Sequence, residues 1–438
     1  MDTIREAPIG QVIRYITKNK FLKYPEEVPG FELPETWHTC LNSAGMEKKA
    51  LSKRHSSSAS ASSESERTGP NGAVSAEAKN EVEDGGKGPN GASEEPSMRV
   101  LEHEVTKKDH LGRDEESKMR MSLTRTKTRD ETQAYSNDRL EVEQELAITR
   151  TKTIPIVPQV TADGNVLVDW YTTDDVANPQ NWSQTKKASV SALLMLYTFT
   201  VYTASAIYTP SVPGVIEQFG VSVVDASLPL SLYVLAYGVG PLFFGPMSEI
   251  PIIGRNPVYI ATMVMFTVIS VGPPLVPNFA GLLVLRFLQG FFGSPCLANG
   301  GATMQDMYSL LYLPYALSAW VSAAYCGPAL GPLLSGFAVP AKGWRWSLWE
   351  ILWLAAPVCL TMFLFMPETS TPNILLRRAK RLRKMTGNTR FKSQSEIDQE
   401  GLNPREVLID ALIKPIEITI KDPAIAFVNL YTALVYGL

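Results

Sequence analysis

Six long apolar stretches, almost free of charge, follow one another between Lys187 and Glu368. Ala188 to Ile216, Ala226 to Ser248, Asn256 to Leu285, Phe287 to Gln305 and Met307 to Ala341 contain no Asp, Glu, Lys or Arg, and Trp346 to Met366 contains only Glu350. A helix rises about 1.5 Å per residue and the hydrocarbon layer is about 30 Å thick, so about 20 apolar residues span it. Helices in a water-soluble core keep a polar face, and these stretches have none. The fold class that fits is an all-α membrane protein with a six-helix bundle over 188–367. A further apolar run opens at Ala424 and reaches Leu438, the last residue, enough for about 22 Å of helix and an incomplete seventh span. The chain reads as half of something larger.

Charged residues are 19% of the chain, yet they crowd into the first 187 positions and into Glu368 to Asp422. The net charge of −3 therefore describes neither region, and no nucleic-acid partner is expected from it. The expected organisation is an amino-terminal segment (1–55), a disordered tail (56–165), a pre-membrane segment (166–187), the six spans (188–367), a central loop (368–423) and the start of a seventh span (424–438). Residues 8–21 place Ile9, Val12, Ile13 and Ile16 on one helical face, with Arg14, Lys18 and Lys20 beside it. A helix lying on a membrane surface and a helix docked on the protein's own inner face both fit this pattern. Ser56 to Ser97 is rich in Ser, Gly, Glu and Asn and poor in aliphatics, so no core can form there. Thr-Arg-Thr-Lys-Thr occurs at 124–128 and again at 149–153, which leaves both phosphorylation and chance recurrence open.

No apolar run of adequate length precedes residue 188, so no signal peptide is expected and the amino tail should stay in the cytosol. Lys186 and Lys187 before the first span, Arg255 after the second, and Arg377, Arg378, Lys380, Arg381, Arg383 and Lys384 after the sixth place those connections on the cytosolic side. Cys40, Cys296, Cys326 and Cys359 form no CxxC pair or secreted framework and read as packing residues; no metal site or cofactor is expected. The chain contains no Gly-rich phosphate loop, HExxH pair or GxSxG elbow, which argues against an enzyme.

Within the spans, the residues that a bilayer penalises stand out. A guanidinium at the position of Arg286 costs about 2.5 kcal/mol or more in hydrocarbon unless it faces a polar cavity or partner. Glu350 lies at similar depth by count, so the two are candidates for one polar cavity, although snorkelling to the interface also accounts for either of them. In the fifth span, Gly327-Pro328-Ala329-Leu330-Gly331-Pro332 combines proline bends with glycines that admit a close neighbour. At the other end of the second span, Gly245, Glu249, Gly254 and Arg255 surround a short turn. Charge-assisted bonds among Glu249, Arg255 and Asp306 would latch that face, and solvated loop charges are the plainer alternative.

These residues carry a resemblance to the major facilitator superfamily, specifically to the amino-terminal half of fungal twelve-span drug:proton antiporters of the benomyl, cycloheximide and azole resistance type. Arg286-Phe287-Leu288-Gln289-Gly290 resembles the family's RxxQG motif, which implies a proton-coupling role for Arg286 and Gln289. Gly327, Pro328, Gly331 and Pro332 resemble the antiporter motif of span five, with Pro332 where a second glycine is usual and Ala323 in place of the leading one. Gly245, Glu249, Gly254 and Arg255 resemble the gate loop, with Ile250 at a usually basic position and Gly254 two positions late. The segments Asp169 to Ser183 and Pro367 to Ser370 are similar to the family's entry to span one and exit from span six. The resemblance implies two rocking six-helix bundles in the plasma membrane, exporting amphipathic small molecules against protons. It also implies a cavity for which Tyr208, Tyr233, Tyr237, Tyr325 and Glu350 are candidate linings, with lipid-facing packing the plainer alternative for each tyrosine. The alternative is a non-transporting half that pairs with a carboxy-terminal half or a second copy.

Overall fold

A computed structural model describes residues 2–39, 153–161, 163–400, 413 and 417–437. Eight helices form the apolar bundle: α3 (Gln184–Ala206), α4 (Val212–Phe219), α5 (Val223–Glu249), α6 (Arg255–Ile269), α7 (Phe279–Gly293), α8 (Pro295–Met307), α9 (Leu313–Lys342) and α10 (Arg345–Phe365). Local chemistry fixes their starts. Ser183 accepts from the Lys186 amide at the head of α3, Ser222 and Asp225 close a reciprocal cap on α5, and Asn278 accepts from the Gly281 amide on α7. Proline sets the breaks: Pro210 lies in the 3₁₀ turn after α3, and Pro295 opens α8 where α7 ends.

Four segments are long and apolar enough to cross a bilayer: Gln184–Phe219, Val223–Glu249, Phe279–Met307 and Arg345–Phe365. Among the described residues, length and hydropathy together pick out these four segments, and the count of six is not reached by those two criteria. Helix α6 has 15 residues because the Ser270 to Leu275 turn, with Gly272, Pro273 and Pro274, stops it. Helix α9 is 30 residues long, but Gly, Pro and Ser dilute its hydropathy. Both pack into the same bundle as the other four, with α3 touching α9, α10 and α8, and α7 lying between α5 and α6. Tyr197, Val201, Met263, Phe266, Met304 and Leu348 are among the buried residues of the shared core. Helix α13 (Pro423–Gly437), in the expected seventh span, is exposed over most of the length for which side chains are described.

A second, smaller core forms at the end of the bundle that carries Lys186 and Arg255. It joins three distant segments: helices α1 (Asp2–Glu6) and α2 (Pro8–Ile16) with the chain to Thr39, residues 153–183, and α11 (Thr371–Thr386) with α12 (Gln394–Asp398). Leu33, Trp37, Val166, Val168, Leu382 and Phe391 pack together, and strand β1 (Val166–Leu167) pairs in parallel with β2 (Phe391–Lys392). Among the described residues, the amino-terminal segment, the pre-membrane segment and the stretch after α10 share this small core. Ile156, inside the region expected to be disordered, packs on Trp170 and Leu375. Cys40, the Ser56 to Ser97 stretch and the repeat at 124–128 lie outside the described residues.

Candidate functional site

Arg286 sits in the middle of α7, fully buried. It does not snorkel. Its Nη1 donates to the Ala204 carbonyl at 3.0 Å and to Gln289 Oε1 at 2.9 Å, and its Nη2 donates to the Ser205 carbonyl at 3.3 Å. Ala204 and Ser205 belong to the last turn of α3, where helix carbonyls lack an onward amide and the helix dipole favours a cation. The break at Pro210 thus creates the acceptors that Arg286 uses. Gln289 Nε2 passes the network on to Ser270 Oγ at 2.7 Å, and Ser270 donates to the Phe266 carbonyl. Among the described residues, no carboxylate lies in ion-pair range of Arg286, and its Nε has no hydrogen-bond partner. Its remaining contacts are aromatic, with the guanidinium carbon 4.7 Å from the Tyr233 ring centre and 5.4 Å from that of Tyr208.

Tyr208 and Tyr233, expected on a cavity wall, are both fully buried. Their hydroxyls donate to the Ala226 and Val201 carbonyls, which pins the rings beside Arg286 and away from open space. Tyr237 is half-buried, its ring centre 6.4 Å from that of Tyr233 and edge-on to Tyr202 at 5.1 Å. An aromatic row therefore runs from the buried guanidinium outward to Tyr202 and Tyr237. Tyr202 was not singled out in the sequence, where a tyrosine in an apolar run carries no mark of its direction. Tyr325 is exposed on α9. Glu350 is partly buried on α10, with Oε2 lacking a hydrogen-bond partner among the described residues and no bond to Arg286.

The face with the basic turn holds a second constellation. Arg255 grips Asp306 with two nitrogens, Nε at 2.5 Å from Oδ2 and Nη2 at 3.3 Å from Oδ1, which ties the head of α6 to the end of α8. Glu249 approaches Arg255 more loosely, at 3.7 Å, from the half-exposed end of α5. The three expected gate charges are brought together, but unequally. Gly254 stands at the N-cap of α6 with φ of +82°, and a Cβ there would meet Glu368 Oε2 at 2.5 Å. Gly245 faces open space. Glu368, which the sequence did not mark as functional, accepts from the amides of Arg255, Asn256, Thr369 and Ser370, so one carboxylate caps the start of α6 and shapes the exit from α10. Losing Asp306 strands a buried guanidinium, whereas Glu249 is half in solvent. Asp306→Asn is therefore expected to cost about 3–5 kcal/mol and Glu249→Gln at most about 1 kcal/mol. Thermal unfolding of the two variants in the same detergent checks this, and equal shifts in Tm would refute it.

Helix α9 places Gly327, Gly331 and Ser335 on one buried face, four residues apart, against α3. A Cβ on Gly327 would stand 2.8 Å from the Thr203 amide nitrogen, and one on Gly331 would stand 3.0 Å from the Thr203 carbonyl oxygen, so backbone meets backbone here. Pro328 and Pro332 follow each glycine on the same helix, half-buried. Gly331→Leu must push the two helices apart, at a cost of about 1–3 kcal/mol or more. The expected result is a loss of monodisperse protein on size-exclusion chromatography, with Gly336→Leu, in open space, as the tolerated control.

A bundle of bilayer-length helices, a buried guanidinium without a carboxylate and a charged latch at one end define a multi-pass membrane protein. The profile of the Major Facilitator Superfamily matches residues 194–438, and the chain belongs to that family. It is 48% identical over 281 residues to the MFS-type transporter pyvG of Aspergillus violaceofuscus, covering 64% of this chain and 52% of that one. It is 43% identical over 271 residues to fluconazole resistance protein 1 of Saccharomyces cerevisiae, covering 62% and 49%. It is 38% identical over 281 residues to the cycloheximide resistance protein of Candida maltosa, covering 63% and 51%. The chain spans about half the length of these curated relatives.

Proposed function

We propose that the chain forms one bundle of a plasma-membrane carrier that exports amphipathic small molecules, drugs or toxins among them, in exchange for protons, with its amino tail in the cytosol. The observation that carries this reading is Arg286, a guanidinium held at bilayer depth by helix-end carbonyls and aromatic rings with no acid beside it. A guanidinium keeps its proton, so Arg286 biases the transported charge and does not carry it. It favours ionisation of any carboxylate that approaches, and Gln289 and Ser270 hold it in place. Tyr202, Tyr237 and Tyr325 supply a stacking surface that suits varied apolar cargo. The Arg255–Asp306–Glu249 latch holds one face closed, and breaking it opens that face. Similarity to relatives named for fluconazole and cycloheximide resistance supports the cargo class.

Transport by rocking requires two bundles. The outer face of α9, with Leu330, Leu333 and Phe337 exposed, is where a second bundle would pack, contributed by a carboxy-terminal half or a second copy. On this reading the bundle alone does not transport. Efflux of a fluorescent amphipathic dye from proteoliposomes under an imposed pH gradient tests both statements. Gradient-driven flux with the chain alone, as a monomer, would reject the need for a partner. Absence of flux with every partner tried, under conditions where an intact relative works, would reject the carrier reading.

A further inference from the structure

Helix α2 is turned inside out for a protein surface in water. Its buried side carries Gly10 and Arg14, and Arg14 donates to both oxygens of Glu27 at 2.7 and 2.8 Å and to the Leu22 carbonyl. Its outward side carries Val12, Tyr15 and Ile16, which are 46%, 87% and 71% exposed, and Phe21 just beyond the helix is 66% exposed. A short helix that buries its charge and displays its apolar residues needs an apolar occupant on the outside.

The position of α2 identifies that occupant. The helix lies against α10 and α6, two helices whose own outer faces display Leu360, Phe365 and Val264. Glu6 pairs with Lys186 at the head of α3 at 2.9 Å, so the segment is tied to the basic end of the bundle. The apolar side of α2 thus lies beside two helices whose outer faces are apolar. Lys18, Lys20 and Lys23 follow the helix and are exposed, while Glu6, Glu26 and Glu27 are each engaged by a basic partner. This leaves a surplus of positive charge beside the apolar side.

We propose that α2 and the turn after it form an interfacial anchor that inserts Val12, Ile16 and Phe21 into the cytosolic leaflet and sets Lys18, Lys20 and Lys23 against anionic lipid headgroups. Arg14 and Glu27 hold the helix to the protein, so it works as a foot rigidly joined to the bundle. The inference rests on the basic end facing the cytosol, and its test needs no transport.

The full chain, reconstituted into nanodiscs of phosphatidylcholine and of phosphatidylcholine mixed with phosphatidylserine, would carry a photoreactive benzophenone side chain in place of Ile16, Val12 or, as control, the exposed Asp398. Irradiation followed by mass spectrometry reads the adducts. Lipid adducts at positions 16 and 12 should exceed those at 398 several-fold, with phosphatidylserine enriched beyond its share of the membrane. The triple change Lys18→Gln, Lys20→Gln, Lys23→Gln should abolish the enrichment and leave the adducts. Equal yields at 16 and 398, adducts confined to protein, or no phosphatidylserine enrichment in the parent chain would overturn the proposal. If efflux with an added partner persists in those cases, the carrier reading stands without the anchor.

Discussion

Arg286→Ala should abolish proton-driven efflux in a transport-competent assembly while leaving the bundle folded. The two halves of that result have different causes. For function, the substitution removes the one positive charge at bilayer depth, and nothing nearby replaces it: Gln289, Ser270, Tyr208 and Tyr233 are neutral. For stability, the loss is partly offset. The carbonyls of Ala204 and Ser205 lose a donor, about 1–3 kcal/mol for an unmet buried acceptor, but a desolvated charge without a counter-ion also disappears, which relieves a penalty of several kcal/mol. Unfolding temperature should therefore move little while flux falls to background. Arg286→Lys separates charge from geometry. A lysine keeps the charge but cannot reach two carbonyls and Gln289 with a planar fork, so intermediate flux is expected. Full efflux by the alanine variant, or equal collapse of folding and flux, would end the assignment.

The contrast between Arg286 and Tyr233 shows what a sequence of this kind exposes. A charge in an apolar run is conspicuous because membranes penalise it, and Arg286 was legible for that reason, whereas Gln289 entered only through the motif resemblance and the glycines of α9 through their spacing. Direction around a helix is not legible where every face is apolar. Tyr233 and Tyr325 look alike in the chain, yet one is locked over a guanidinium and the other is exposed. Among loop charges the difficulty reverses. Glu368 was read only as part of a span-exit segment and Arg378 only as one basic residue of a cluster, because their individual roles depend on partners far along the chain. The amphipathic pattern of α2 was readable, but which of its sides meets the protein depends on Glu27 receiving Arg14. The small core joining residues 2–39, 153–183 and 371–398 rests on pairings across hundreds of positions, beyond any local signal.

Arg378→Ala should detach the amino-terminal segment from the bundle. Arg378 is 3% exposed and donates to Asp175 at 2.7 and 3.2 Å and to the Asp169 carbonyl, with Glu26 3.3 Å away and the Tyr171 ring centre 4.3 Å from its guanidinium carbon. Among the described residues, it is the one cation that reaches all three segments of the small core. Burial works against the charge on Asp175, and the Arg378 guanidinium outweighs it, holding that carboxyl below the usual carboxylate range. Without Arg378, Asp175 loses its cation and Glu26 keeps only Arg381, at a cost of about 3–5 kcal/mol for the broken buried pair. Hydrogen exchange should rise across 2–39 and 153–175 but not in α5 or α7, since the bundle core is separate. Asp175→Asn combined with Arg378→Ala should cost less than the sum of the single changes, because the double variant buries one unpaired charge fewer. A carboxylate with a depressed folded pKa stabilises above its unfolded pKa and loses that contribution as pH falls through the folded value. The Asp175 part of the effect should therefore be constant from neutral pH down to the ordinary carboxylate range and fade below it. Additive losses in the cycle, or protection of 2–39 unchanged by Arg378→Ala, would show that the apolar contacts of Trp37, Val166 and Phe391 suffice and that the ion cluster merely decorates them.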